Sequence, residues 1–182
     1  MGYTADRYRK TLARKAPGSM TMTETEIDFV DRYAGIYEHS RWVAERAAPH
    51  AAGLDDVTRV AEIMADCVDN ASAARQLELI RAHPDLAGKA QLAGELTEES
   101  TDEQASAGID QCTAEEFEEF QSLNEAYRDK FSFPFVMAVR DSGRSAILAA
   151  FAQRLDNDYI NEFETALTEI HKIAQLRLQA MD

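Results

Sequence analysis

Cysteine is nearly absent from this chain: Cys67 and Cys112 are the only two in 182 residues. Two thiols so far apart exclude a disulfide framework or a zinc knuckle, and both read as reduced packing residues. No apolar run approaches the roughly 20 residues a membrane-crossing helix needs. The start also lacks the apolar core of a secretory signal, and the Ala180-Met181-Asp182 ending is not the S-K-L peroxisomal address. The expected location is the cytoplasm. Basic residues are scarce, 19 against 33 acidic ones, for a net charge of −14. Such a surface repels a phosphate backbone, so nucleic acid and anionic membranes are excluded as partners, and a small anionic substrate needs a local basic anchor. The four histidines show no paired helical spacing, and neither H-E-x-x-H nor C-x-x-C is present. Gly88 and Gly94 fit neither a dinucleotide fingerprint nor a P-loop, and no G-x-S-x-G elbow occurs. What survives is acid-base chemistry by side chains, with no metal and no cofactor.

The length suits one domain, which should bury about 70% of the surface its unfolded chain exposes. Residues 1–19 differ from the rest: Arg7, Arg9, Lys10, Arg14 and Lys15 face only Asp6, and Pro17-Gly18 closes the segment. They read as a mobile basic arm, with residues 20–182 as the domain. There the apolar spacing is helical nearly throughout. One stripe holds Ile27, Val30, Ala34 and Tyr37, and another Val57, Val60, Ala61, Met64 and Val68. Others run through Ala73, Leu77 and Ile80, through Phe117, Phe120, Asn124 and Tyr127, through Ile147, Phe151 and Leu155, and from Tyr159 to Ala180. Thr113-Ala114-Glu115-Glu116 is a capping-box pattern. The expected class is therefore all-α, a single compact multi-helix domain. Its exception is the aromatic, proline-centred stretch from Phe131 to Val139, an extended Phe-Pro-Phe connector with no second strand to pair with. Its backbone groups are open to a ligand or to neighbouring loops and water alike.

Three polar signals stand out against the helices. His83 precedes Pro84, which disfavours helical geometry in the residue before it and leaves the imidazole fewer places to point. The other histidines, His39, His50 and His171, read as structural. Ser100-Thr101-Asp102-Glu103 has the S-x-x-E spacing of a capping box, which would make Ser100 and Glu103 structural, although a helix start also offers free amides to a polar ligand. Arg177 falls near the middle of the apolar face formed by Phe163, Ala166, Leu167, Ile170, Ile173, Ala174, Leu178 and Met181. A buried guanidinium is costly unless it meets an anion, whether a substrate carboxylate or an internal Asp or Glu. Arg154, at the edge of the preceding stripe, is a second candidate anchor with the structural reading ahead.

Taken together, His83-Pro84-Asp85-Leu86-Ala87-Gly88, Leu96-Thr97-Glu98-Glu99-Ser100 with Glu103-Gln104, Leu123-Asn124 with Tyr127, Phe133-Pro134-Phe135-Val136 and Arg177-Leu178 resemble the decarboxylases of 2-oxo-4-hydroxy-4-carboxy-5-ureidoimidazoline (OHCU), enzymes of urate breakdown. Glu38-His39-Ser40 and Trp42-Val43-Ala44-Glu45-Arg46 fit the same family, with Arg41 where proline and Ser132 where glycine is expected. The resemblance covers about residue 24 to the end. It implies an all-helical, cofactor-free homodimer whose substrate is OHCU and whose product is (S)-allantoin, a carboxy-lyase of purine metabolism. It also implies that His83 is the catalytic proton donor and that Glu103 and Arg177 complete the polar site. Pro84, Ser100, Thr101, Asp102, Glu103 and Gln104 would contact substrate, together with Phe135, Val136, Met137, Ala138 and Val139. Two other readings stay open on the residues alone: an acidic helical interaction module in which His83, Glu103 and Arg177 form an internal network, and a hydrolase of a related ureide.

Overall fold

The computed structural model describes residues 21–88, 94–140 and 142–181. The basic arm expected over residues 1–19 lies outside them. Among the described residues there are eight α-helices and no strand: α1 (Glu24–Tyr33), α2 (Arg41–Ala51), α3 (Val57–Asp69), α4 (Ala73–Ala82), α5 (Glu98–Ser106), α6 (Ala114–Phe131), α7 (Arg144–Arg154) and α8 (Tyr159–Gln179). A single 3-10 turn, Ile109–Gln111, separates α5 from α6.

Local chemistry sets most of the helix starts. Thr23 and Thr113 each form a full capping box, with Glu26 and Glu116 respectively, and Asp56, Ser72 and Asp158 cap α3, α4 and α8 through side-chain oxygens. Each such cap is worth about 1 kcal/mol. Arg41 occupies the first position of α2, where proline is well suited, and is held instead by ion pairs to Asp31 and Glu45. The first apolar stripe differs from expectation at both ends. Ile27 is 46% exposed, while Phe29, Val30 and Tyr33 take the inner face, and α1 stops at Tyr33 so that Tyr37 is buried from a loop. Met181 likewise sits outside the core, 40% exposed, just beyond α8.

Helices α1, α2 and α3 pack in succession, and α8 runs against α3 and α4. Cys67 is buried on α3, where loss of water raises its thiol to about 11, so it is an inert packing residue. A second core centre lies under the connector. Tyr127, Phe131, Phe133, Phe135 and Phe151 are all buried, and the Phe135 and Phe151 rings stack with centroids 3.9 Å apart. Burying each phenyl contributes about 2 to 3 kcal/mol, enough to hold residues 134–139, which have neither helix nor strand, against the helices. Ser132 ends α6 in the left-handed region at φ 60, its amide donating to Arg128 O and its carbonyl accepting from Arg81 Nε.

Candidate active site

The first element of the site is the turn after α4. Pro84 forces His83 out of helical geometry, to φ −76 and ψ 140, so the helix closes on it. Its Nδ1 lies 3.0 Å from Leu79 O. A carbonyl only accepts, so Nδ1 holds the proton and the neutral ring keeps its lone pair on Nε2. Burial pushes the pKa of His83 down to about 4, against the opposing effects of the Leu79 bond and the Glu38 carboxylate. The following residues are clamped from α5 and α6. Arg128 grips both Asp85 oxygens, Asn124 donates to Leu86 O at 2.9 Å, and Gln104 Oε1 accepts from the Ala87 amide at 3.1 Å. A Cβ on Gly88 would stand 2.7 Å from Asp85 Cβ, so only glycine lets the chain double back here.

The second element is α5, and it corrects the capping assignment. Thr97, not Ser100, is the N-cap: its Oγ1 accepts from the Ser100 amide at 3.3 Å. The helix therefore begins about one turn earlier than the Ser100-x-x-Glu103 pattern suggests, and the proposed box between those residues does not form. Both side chains are thereby released inward. Ser100 Oγ donates to Glu38 at 3.1 Å, and Glu103 meets Arg177.

From α8, Arg177 reaches this point with its side chain only 4% exposed. Its Nε and one terminal nitrogen hold the two Glu103 oxygens at 2.8 and 2.9 Å, a bidentate fork. The same terminal nitrogen reaches Ser100 Oγ at 3.4 Å, and the other meets Gly35 O at 3.3 Å and Glu38 at 2.9 Å. All three guanidinium nitrogens thus have a partner. Burial opposes the charge on Arg177, but Glu103 and Glu38 outweigh it and hold its pKa above the ordinary arginine value.

These groups enclose one small cavity of about 30 Å³, lined by His83, Pro84, Leu86, Ser100, Glu103, Gln104, Ile173 and Arg177, with Phe135, Val136, Met137 and Val139 from the connector. That space holds a water or two rather than a substrate, so a ligand must shift side chains to enter. The expected residues His83, Glu103 and Arg177, the last two 74 positions apart, are brought together. Thr101 and Asp102 are not: both are exposed, and the Thr101 hydroxyl turns back to Thr97 O. Ala138 lies outside the cavity lining too, its amide given to Glu169 at 2.9 Å. Leu86 and Ile173 line the cavity without having been expected to, and Glu38 stands behind it against Arg177 and Ser100. Ile173 sits one turn before Arg177 on the same face of α8, a signal that periodicity contained.

Arg154 belongs elsewhere. It pairs with buried Glu162, which also accepts from Tyr127 and Asn157, donates to Val136 O at 2.7 Å and lies over the Phe135 ring. Its work is to pin the connector. His171 bridges Tyr37 and Asp69, a structural role, and His39 is exposed at the loop surface. A wider depression of about 640 Å³ lies beyond Pro84, bordered by Asp85, Glu125, Asp129 and Arg128, which is already paired with Asp85.

A buried neutral imidazole beside a carboxylate-guanidinium pair is suited to moving a proton on a small polar molecule. The family model described as OHCU decarboxylase matches residues 22–179. This chain belongs to the OHCU decarboxylase family. It is 48% identical over 150 residues to the 2-oxo-4-hydroxy-4-carboxy-5-ureidoimidazoline decarboxylase of Haloferax volcanii, covering 82% of this chain and 86% of the relative. It is 44% identical to the enzyme of the same name from Halalkalicoccus jeotgali, over 84% of both chains. Among solved structures, that of an (S)-allantoin synthase superposes with a TM-score of 0.68 at 33% identity, covering 94% of this chain and 52% of that one. The helices that present His83, Ser100, Glu103 and Arg177 all fall within the span matched by the OHCU decarboxylase family.

Proposed function

We propose that this chain decarboxylates OHCU to (S)-allantoin in urate degradation, without a cofactor, at the cavity between α4, α5, α8 and the connector. The observation that carries this reading is the convergence of His83, Glu103 and Arg177 on one buried cavity in a chain 48% identical to a decarboxylase of that substrate.

The substrate supplies its own electron sink. Its leaving carboxylate sits on a carbon that bears a hydroxyl and adjoins a ring C=N. When the C–C bond to the carboxylate breaks, the electron pair forms a C=C bond and the C=N pair moves to nitrogen, which takes a proton from solvent. The enol that remains must lose its hydroxyl proton and gain one on the neighbouring carbon. Neutral His83 fits both tasks: Nε2 accepts the hydroxyl proton and then delivers it to one face of that carbon, which fixes the S configuration. Glu103, held in its plane by Arg177, accepts hydrogen bonds from the ureido or ring N–H groups, and Gln104 adds an amide donor. Among the described residues, Arg177 is the one permanently cationic side chain lining the cavity. Its fork already lies on Glu103, so it serves the anionic substrate through its charge and through Glu103 unless a substrate carboxylate displaces that partner.

The assay follows loss of OHCU ultraviolet absorbance, using freshly generated substrate, together with the circular dichroism of the product. Accelerated decay with optically active allantoin supports the reading, and the spontaneous rate with racemic product sinks it. A second reading, an interaction module with a closed ion-pair network, draws on the pairing of Arg177 with Glu103 and Glu38 and on the small cavity, and the spontaneous rate is what it requires. The family resemblance also supports a homodimer, which sedimentation tests. No described helix is long and apolar enough to cross a membrane, which is compatible with a cytoplasmic enzyme.

A further inference from the structure

We propose that Glu38 is a positioning residue of the decarboxylation site, fixing Arg177 and the start of α5, and through them Glu103, around His83. This rests on the decarboxylase reading above. Glu38 lies in the loop between α1 and α2, 2% exposed. Its Oε1 accepts from Thr97 Oγ1 at 2.8 Å, and its Oε2 meets Ser100 Oγ at 3.1 Å and Arg177 at 2.9 Å. Thr97 is the N-cap of α5 and Ser100 stands three residues on, so one carboxylate sets how that helix faces α8. Glu103 and Gln104 follow on the same helix, and a displacement of about 1 Å at such groups can cost a hundredfold in rate.

The arrangement is expensive. Two carboxylates share one guanidinium in a buried site meant for an anionic substrate, which a purely structural contact does not require. The next residue, His39, is held at φ 45 although it is not glycine, so the loop accepts strain where the Glu38 side chain turns inward. Burial opposes the charge of Glu38, yet Arg177 and the Thr97 bond hold its carboxyl below the ordinary range, so it stays ionised. Around His83, the Glu38 carboxylate favours the protonated ring and the Arg177 guanidinium opposes it, as does His39, while Glu103, paired with Arg177, lines the same cavity.

The test compares wild type, Glu38→Gln and Glu38→Asp on freshly generated OHCU across pH, with the His83 ring titrated by NMR in each. Glu38→Gln should lower kcat about tenfold to a hundredfold with little change in KM, and should move the acid limb and the His83 titration to lower pH. Glu38→Asp keeps the charge but not the reach, so it should lower kcat while leaving the acid limb in place. Wild-type kcat in Glu38→Gln overturns the proposal, as does a lower kcat with an unmoved limb and a matching fall in Tm, which marks a stabilising role alone. If Glu38→Gln does not fold, Glu38→Asp decides: reduced kcat at unchanged Tm supports the proposal, and wild-type kcat overturns it. The NMR titration needs no turnover. A wild type inactive on OHCU therefore defeats the decarboxylase reading separately, and an unmoved His83 titration defeats the link to Glu38.

Discussion

Near neutral pH the His83 ring is uncharged and its Nδ1–H is committed to Leu79, so only Nε2 is available for chemistry. With protonation displaced to about pH 4, kcat/KM should stay level from neutrality down to about pH 5 and fall below it. The same displacement acts on stability. In the unfolded chain the ring binds its proton near 6.5, in the native state only near 4, so between these values the unfolded state holds more protons and stability declines as the pH drops. His83→Asn should remove that slope and lower turnover at least about a hundredfold; thermal melts and rate profiles on one pH series read both. At Arg177 two substitutions divide charge from geometry. Arg177→Lys keeps the charge but not the fork on Glu103, so kcat/KM should fall by about 1.5 to 3 kcal/mol of transition-state stabilisation while the fold persists. Arg177→Met strands Glu38 and Glu103 beside apolar neighbours and should cost about 3 to 5 kcal/mol in folding, seen by denaturant titration. Equal Tm in the two variants would argue against a buried ion pair as the source of either effect.

Helix ends were legible where their chemistry is local. Thr113 and Glu116 close a box with groups three residues apart, and the sequence contains everything needed to see it. At α5 two hydroxyls compete. Both Thr97 and Ser100 stand three residues before a suitable partner, and the choice is settled by Glu38, which draws Ser100 Oγ inward from 62 positions away. Arg177 could be singled out because a cation interrupts an apolar stripe. Glu38 could not, since its burial depends on Arg177, Thr97 and Ser100 arriving from other helices. Thr101, Asp102 and Ala138 were drawn in with their neighbours by contiguity, whereas helical rotation and the Glu169 contact turn them away. The end of α6 offers a prediction of its own kind. Ser132 is an exposed L-residue in the left-handed region, where glycine carries no steric penalty, so Ser132→Gly should stabilise the fold by about 0.5 to 1 kcal/mol. A melt that shows lower Tm would mean that the serine hydroxyl matters there.

For the whole molecule, charge of one sign dominates. A net charge of −14 repels itself across the folded surface, while exposed pairs such as Arg75–Glu78 each return only a few tenths of a kcal/mol. Raising KCl from about 0.05 M to about 1 M, which shortens the Debye length to about 3 Å, should therefore raise Tm; a fall would show that favourable pairs outweigh the repulsion. The closure of the site also has a temporal side. Each helix draws on neighbours a few residues apart and can form within about a microsecond, whereas Arg177 meets Gly35 across 142 positions and Glu103 across 74. Closing loops of that length precedes any reward from the contacts they make. Catalytic competence therefore depends on the longest closures in the chain and is a property of the finished molecule rather than of any one helix.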